Sequence, residues 1–510
     1  MSETVRISDM MVESGVTFGT SGARGLADHM TDKVCYAYTG AFIQYLEEQK
    51  ELAGEGVIAV GGDLRASTDR IMKAAVRAVL DRGYLPRSCG RLPSPALAHY
   101  GLVKGIPTIM VTGSHIPEDR NGIKYTKKKG EILKQDEAGI RRQEIALPQG
   151  LFDNKGMFPS KQADLTPDPE AIGLYVERYL RFFPHKALQG KRIGVYQHSA
   201  VGRDLMRTIL SGLGAETMPL GLSEMFVPVD TEAIRPEDVA AAKQWMKDYE
   251  FDAIVSTDGD SDRPLISDEK GKWLRGDVAG ILCSAYFKAD AVATPVSCNS
   301  AVETCGLFQR VYRTRIGSPY VIEGMEQAVR DGFQRVVGYE ANGGFLTASD
   351  MESEGHILTA LPTRDAVILH IAILLLSIQK QKPISQLVLE LPQRFTASNR
   401  LKDFPTEKSR ARLSEFYIGD NVRDRAALEA VFGGHFGPVA SIDATDGLRV
   451  TFKNHEIVHL RPSGNAPEFR CYNEADTESR AMQMNQICME IMAGWRQAEW
   501  ELDAGYWMGG

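Results

Sequence analysis

Asp258-Gly259-Asp260-Ser261-Asp262-Arg263 carries carboxylates at three alternate positions. Unpaired, they would be too costly to bury in an apolar core, so the segment reads as a loop. From a loop their oxygens can converge on one hard cation, Mg²⁺ or Ca²⁺. A calcium EF-hand is the obvious rival: Asp258, Asp260 and Asp262 match its first, third and fifth positions, and Glu269 falls on its twelfth. Its sixth position needs glycine, however, and here stands Arg263, followed by Pro264. Residues 251–255 also read as a strand where an EF-hand needs a helix. Mg²⁺ held by Asp258, Asp260 and Asp262 is the expected reading, and a solvated loop is the alternative.

Thr112-Gly113-Ser114-His115 follows the apolar run 108–111 and is followed by Asn121-Gly122-Ile123-Lys124. A lone serine after a strand is usually a turn or cap residue. Its hydroxyl is a weak nucleophile that needs a base and charge stabilisation, which His115 and Lys124 could supply. No G-x-S-x-G elbow marks a hydrolase serine. A phosphate on Ser114 would add a charge of about −1.5 to −2. The three aspartates would repel it unless a divalent cation lay between them, so the two loops make sense together.

Three further loops could bind anions or sugars. Arg461-Pro462-Ser463-Gly464-Asn465-Ala466-Pro467-Glu468-Phe469-Arg470 offers backbone N–H groups, hydroxyl and amide donors, and two guanidinium groups for a phosphate. A surface turn with solvated arginines fits it equally well. Glu340-Ala341-Asn342-Gly343-Gly344 places a carboxylate and an amide two residues apart, able to hold adjacent sugar hydroxyls or simply to cap a helix. Phe18-Gly19-Thr20-Ser21-Gly22-Ala23-Arg24-Gly25 sets small residues around one arginine, as an anion-facing turn or an exposed one.

These loops need elements to position them. Short β-branched runs at 57–60, 108–111, 192–196, 253–255, 292–294 and 336–338 alternate with helical stretches, the rhythm of βαβ units. In such sheets ligands gather at the carboxyl ends of strands. The helix after residue 63 is expected to bury Ala74, Ala75, Ala78 and Leu80. Residues 366–376, interrupted by His370, fall short of the ~20 residues that span a bilayer and read as a buried helix. Residues 402–432 look largely helical, stopping at Gly433-Gly434, and 439–442, 448–452 and 456–460 look like antiparallel strands. Boundaries near Leu165, Gly190, Lys288 and Gln393 give α/β domains at 1–165, 190–288 and 289–393 and an α+β domain at 394–510.

The whole chain has 510 residues, 43% of them hydrophobic and 25% charged. That is too long for one ordinary core. With 59 basic against 67 acidic residues, the net charge of −8 disfavours nucleic acid as a partner. An anionic substrate would need a local basic pocket. Seven cysteines without a CxxC pair suggest reduced thiols. The opening MSETVRISDM has no apolar signal core, so a cytoplasmic location, away from membranes, is expected. Oligomeric state is not readable.

Taken in order, the five loops resemble the α-D-phosphohexomutase family, which includes phosphomannomutases and phosphoglucomutases. Gly62-Asp63-Leu64-Arg65 and Pro93-Ser94-Pro95 are lesser matches, and the likeness runs from about Val16 to Glu474. The resemblance implies four domains around a central cleft, three doubly wound α/β units and a C-terminal α+β domain. It implies a phosphoserine at Ser114, with Mg²⁺ held by Ser114, Asp258, Asp260 and Asp262. Arg24 and Arg263 would bind the transferring group, and Glu340 and Asn342 would face sugar hydroxyls. Arg461, Ser463, Gly464 and Asn465 would hold the other phosphate, with Arg470 as a further cation beside them. The implied reaction is reversible phosphoryl transfer between the 1- and 6-positions of a hexose phosphate, through a hexose 1,6-bisphosphate that is both intermediate and activator. The overall look resembles bacterial phosphomannomutases, so a mannose phosphate is the expected substrate. Glucose and glucosamine phosphates are alternatives, as are a bisphosphate phosphatase and a catalytically silent sugar-phosphate-binding protein.

The chain departs from the family pattern in four places. Gly113 stands where alanine is usual, which is expected to loosen the serine loop, and Ile116 where asparagine is usual. Asn465-Ala466-Pro467 replaces the commoner Thr-Glu-Pro. Gly344 stands where several bacterial members place a histidine, a candidate acid/base. The base is therefore open between Lys124 and a group the sequence does not identify.

Overall fold

The computed structural model describes residues 3–19, 22–52, 56–463 and 467–507, with side chains as far as Arg496. Two compact units form, residues 1–293 with 317–388, and residues 294–316 with 389–510.

In the first unit, one sheet runs in the order Thr17–Phe18, Ala23–Leu26, Arg120–Lys127, Thr108–Val111, Val57–Gly62, Leu85–Arg91, with Gly130–Glu131 paired to the third. Val57–Gly62 lies parallel to both its neighbours, which requires the crossover helices Thr68–Asp81 and Ser94–Lys104. Thr68–Asp81 buries Ile71, Ala74, Ala75, Ala78 and Val79. Leu80, expected on that face, is 49% exposed, because the helical period of 3.6 residues carries it off the buried stripe.

A second sheet orders Glu216–Leu222, Arg192–His198, Ala253–Thr257, Pro264–Ile266. The three-aspartate segment is the hairpin between the last two, which pair antiparallel. In a third, Val336–Tyr339 pairs parallel with Ala291–Pro295 and antiparallel with Phe345–Thr347, which pairs in turn with Leu361–Asp365. The Glu340 loop is the turn of that hairpin.

Helix Ala366–Lys380 is buried from Ala366 to Ser377. Asp365 caps it, accepting a hydrogen bond from Val367 N at 3.1 Å, worth about 1 kcal/mol. His370 lies 3.0 Å from Leu265 O through Nε2. Burial lowers its pKa to about 3, so it packs as a neutral core residue. Among the described residues no helix is long and apolar enough to cross a membrane.

The second unit holds a five-stranded antiparallel sheet in the order Phe395–Lys402, Glu468–Ala475, Ile457–Pro462, Leu448–Phe452, Val439–Asp443, with helix Glu478–Trp507. Two expectations change here. Lys402 ends a strand rather than opening a helix: Phe395–Lys402 pairs residue for residue with Glu468–Ala475, and its polar, edge-strand composition hid it. The helical region also does not stop at Gly433-Gly434. Thr406–Phe416 and Asn421–Leu428 are separate helices, and the second runs on through a π-helical turn, Glu429–Gly433, to Phe436. Burial of Phe432 and Phe436 outweighs the helix penalty of about 1 kcal/mol per glycine. Gly437, at φ 89°, ends it.

Candidate active site

Strand Thr108–Val111, buried at every residue, delivers Ser114 into the interior, where it is fully buried. Ser114 adopts φ 56°, the left-handed region that costs a non-glycine residue about 1–2 kcal/mol. The surrounding bonds over-determine that conformation. Ser114 N donates to Thr112 Oγ1 at 2.8 Å, and Thr112 Oγ1 donates to Asp63 Oδ2 at 2.7 Å. Arg65, itself fully buried, donates to the carbonyls of Ser114 (2.9 Å), Ile116 (2.5 Å), Pro117 (2.6 Å) and Arg120 (3.0 Å). The Phe226 ring centroid lies 3.9 Å from its Cζ, a cation–π contact.

Gly113 therefore does not loosen the loop. A Cβ there would lie 2.6 Å from Arg65 Cζ and Nε, so the glycine makes room for the guanidinium that clamps the loop. Gly113→Ala is expected to cost about 1–3 kcal/mol through overpacking, seen as a lower urea midpoint with a parallel drop in turnover. An unchanged midpoint would remove the clamp from the account.

Ser114 Oγ donates to Asp258 Oδ2 at 2.6 Å. Asp258, Asp260 and Asp262 are buried and offer one oxygen each within 4.8 Å of one another, the only such acidic group among the described residues. Their other contacts are divided. Asp260 Oδ2 accepts from Lys124 Nζ at 2.6 Å and from Ser94 Oγ at 2.5 Å. Asp262 Oδ2 accepts from Lys124 Nζ at 2.8 Å and from Arg364 Nε at 3.1 Å. Asp260 Oδ1 and Asp262 Oδ1 are buried without a hydrogen-bond partner. Buried carboxylate oxygens left open on one side, with their second oxygens pinned, fit a hard divalent cation. Glu269, the EF-hand's required twelfth ligand, instead accepts from Ser385 N at 3.1 Å and takes no part in the group.

Desolvation pulls the Lys124 pKa down, but attraction to Asp260 and Asp262 outweighs it and the net shift is upward. Lys124 is thus held as a cation between the two carboxylates in this arrangement. His115 is held neutral, its pKa driven down by burial and then by Arg263 and Arg24. Its Nδ1 lies 2.8 Å from Arg263 Nη1 and 3.5 Å from Ser114 Oγ. With that lone pair turned to Arg263, His115 orients a guanidinium more readily than it takes the serine proton. Arg263 Nε lies 3.9 Å from Asp258 Oδ2 and 3.7 Å from Asp262 Oδ1. Burial, then repulsion by Arg263 and Arg364, lowers Arg24 to about 10, which leaves it charged at neutral pH.

Glu340 is buried and accepts from Arg364 Nη1 at 3.0 Å. Asn342 closes its own turn, Oδ1 accepting from Gly344 N at 2.9 Å, so a sugar would meet its amide nitrogen. In the second unit, Arg461 Nε pairs with Asp446 Oδ1 at 3.0 Å, Arg470 Nη2 with Glu468 Oε2 at 3.2 Å, and Ser463 N donates to Glu468 O at 2.8 Å. Gly464 and Asn465, like Thr20 and Ser21, lie outside the described residues. Sequence reasoning noticed Asp63, Arg65 and Ser94 only as lesser matches and gave them no role. It missed Arg364 altogether, because Thr363-Arg364-Asp365 carries no motif.

Three stretches match domains of one family: residues 15–146 match phosphoglucomutase/phosphomannomutase alpha/beta/alpha domain I, 174–271 domain II, and 275–395 domain III. The chain belongs to the phosphoglucomutase/phosphomannomutase family, the α-D-phosphohexomutases, and is a mutase. It is 44% identical to a phosphomannomutase of Salmonella muenchen over 473 residues, 93% of this chain and 95% of the relative. It is 43% identical to one of Sinorhizobium fredii, over 92% of this chain and 96% of that one. A crystal structure of a putative phosphomannomutase from Thermus thermophilus shares the fold, with TM-score 0.71 at 18% identity, covering 94% of this chain and 99% of that one.

Proposed function

We propose that this chain interconverts mannose 6-phosphate and mannose 1-phosphate, with Ser114 as the phosphoryl carrier. The observation that carries this reading is the Ser114 hydroxyl, buried and 2.6 Å from Asp258 in a three-aspartate loop. Relatives named phosphomannomutase at 43–44% identity support the choice of mannose.

Phosphoryl transfer asks a protein mainly for positioning and charge neutralisation. The Arg65 clamp and the Asp63–Thr112 bond hold the serine backbone still. Mg²⁺, held by Asp258, Asp260, Asp262 and a phosphoryl oxygen on Ser114, would supply Lewis-acid neutralisation of that charge. Arg24, Arg263 and Lys124 add fixed positive charge around the moving group. Glu340 and Asn342 orient the sugar hydroxyls. Arg461, Ser463, Gly464 and Asn465, with Arg470, would hold the phosphate that is not moving. Phospho-Ser114 gives its phosphoryl group to the free hydroxyl, a hexose 1,6-bisphosphate forms and reorients, and Ser114 recovers the other phosphate. The first transfer breaks the Ser114 Oγ–P bond and forms a P–O bond to the sugar, and the proton of the attacking hydroxyl ends on Ser114 Oγ, which regains its hydroxyl.

Initial rates on mannose, glucose, glucosamine and N-acetylglucosamine 1-phosphates test the assignment. Mannose 1-phosphate is expected to give the highest kcat/KM. A hexosamine phosphate in first place would overturn the mannose reading, and inorganic phosphate released faster than isomer would point to a phosphatase.

A further inference from the structure

Arg364 has 2% of its side chain exposed. It is the penultimate residue of strand Leu361–Asp365, immediately before the cap of the buried helix. Its Nη2 lies 3.0 Å and its Nε 3.1 Å from Asp262 Oδ2, and its Nη1 lies 3.0 Å from Glu340 Oε2. One guanidinium thus joins two acidic groups with different tasks, one in the metal loop and one in the sugar loop. Its position depends on Gly344. A Cβ on Gly344 would lie 2.4 Å from Arg364 Cδ, 2.5 Å from Cγ and 3.0 Å from Cβ. The missing side chain at 344 and the arginine at 364 are therefore one arrangement: the second fills the space the first leaves open.

We propose that Arg364 is a positioning residue. It holds Asp262 by Oδ2, leaving Oδ1 as the oxygen available to a divalent cation, and it holds Glu340 by Oε2, leaving the other oxygen to a sugar hydroxyl. The planar fork suits this task, since it reaches two carboxylates in fixed directions, where an ammonium would serve as a single point charge. Asp262 Oδ1 is buried without a hydrogen-bond partner, its nearest cation being Arg263 Nε at 3.7 Å, while Oδ2 takes both Lys124 and Arg364; that is the asymmetry this role requires. The inference rests on the Mg²⁺ and sugar-hydroxyl roles given above, and its two halves are measured separately.

The first measurement is Mg²⁺ binding to the full chain by titration calorimetry, which needs no turnover. Simple electrostatics says that removing a cation beside Asp262 should tighten Mg²⁺ binding. Positioning says the opposite, because the freed carboxylate can rotate away. Arg364→Met is expected to weaken Mg²⁺ binding by roughly tenfold or more, in the range seen when outer partners of metal ligands are removed. A smaller loss, no change, or tighter binding overturns the proposal. If the methionine variant does not fold, Arg364→Lys, which keeps the charge but not the fork, takes its place with the same expected sign.

The second measurement separates KM from kcat. Arg364→Lys is expected to raise KM for the sugar phosphate about tenfold, and adding Glu340→Gln to it should raise KM little further, since the two side chains act as one unit. A KM within twofold of the unaltered enzyme, or fully additive effects, overturns the sugar half. If the unaltered chain isomerises no hexose phosphate, the proposed function fails by itself, and the calorimetry still decides the role of Arg364 at Asp262.

Discussion

Ser114→Ala is expected to eliminate isomerisation, lowering turnover by at least about 10⁴-fold, because the variant loses the covalent carrier and not an auxiliary contact. The fold should survive. Ser114 Oγ donates one short hydrogen bond, to Asp258, and lies 3.5 Å from His115, so little packing depends on it. Alanine at φ 56° is about as strained as serine, and the Arg65 and Asp63 bonds that hold this conformation involve the backbone and Thr112. The melting temperature is therefore expected to stay within about 4 °C. Intact-protein mass gives a second readout. The unaltered chain incubated with a hexose 1,6-bisphosphate should gain the mass of one phosphoryl group, and the variant should gain none. More than a trace of isomerisation by the variant, or label on another residue, would falsify the carrier role.

Asp258→Asn should have the next largest effect, and in two opposite directions. Activity is expected to fall by about 10³-fold, since an amide in place of the carboxylate neutralises neither a cation nor the phosphoserine it would hold. Stability of the cation-free chain is expected to rise at neutral pH. Burial, then repulsion from Asp260 and Asp262, pushes the Asp258 pKa well above its ordinary value of 3.8, so folding takes up a proton there. The stability conferred by that proton is complete below about pH 3.8. It is lost as pH rises through the raised folded value, because the folded chain must then bury an unbalanced charge. The variant has no such titration. In chelator, the unaltered chain should lose about 1.4 kcal/mol relative to the variant for each pH unit across that window. Melting curves at stepped pH, with and without Mg²⁺, measure this. A parallel pH dependence for both chains would mean that Asp258 is not the group that titrates. Mg²⁺ should raise the melting temperature of the unaltered chain and leave the variant's unmoved.

Much of this was legible in the chain. Alternate carboxylates in Asp258-Gly259-Asp260-Ser261-Asp262 announce a loop that gathers charge, and the structure makes it the turn of a hairpin with all three buried. The strand before Ser114, the buried helix around His370 and the strands at 439–443 and 448–452 were readable from short-range apolar patterns. Where such patterns misled, tertiary packing had overridden a local preference. Gly433 and Gly434 are poor helix formers, yet they stay helical because Phe432 and Phe436 on either side are buried. Residues 395–402 lack a strand's apolar alternation, yet they pair along their whole length with Glu468–Ala475.

The sequence by itself determined which groups are on offer: a serine after a strand, three carboxylates at alternate positions, and loops that carry arginines. Each of these lies within a few consecutive residues, so local chain geometry is enough to assemble it. Only the tertiary structure decided the charge state and steric fit of each group. Lys124 is held as a cation because Asp260 and Asp262, more than 130 positions later, close on it at 2.6 and 2.8 Å. His115 stays neutral because burial, and then Arg263 meeting its Nδ1, drive its pKa down. Gly113 tightens a loop it was expected to loosen because Arg65 fills the space it leaves, and Arg364 fills the space beside Gly344 in the same way. Charge state and steric fit depend on distance in three dimensions, and spacing along the chain carries no record of them.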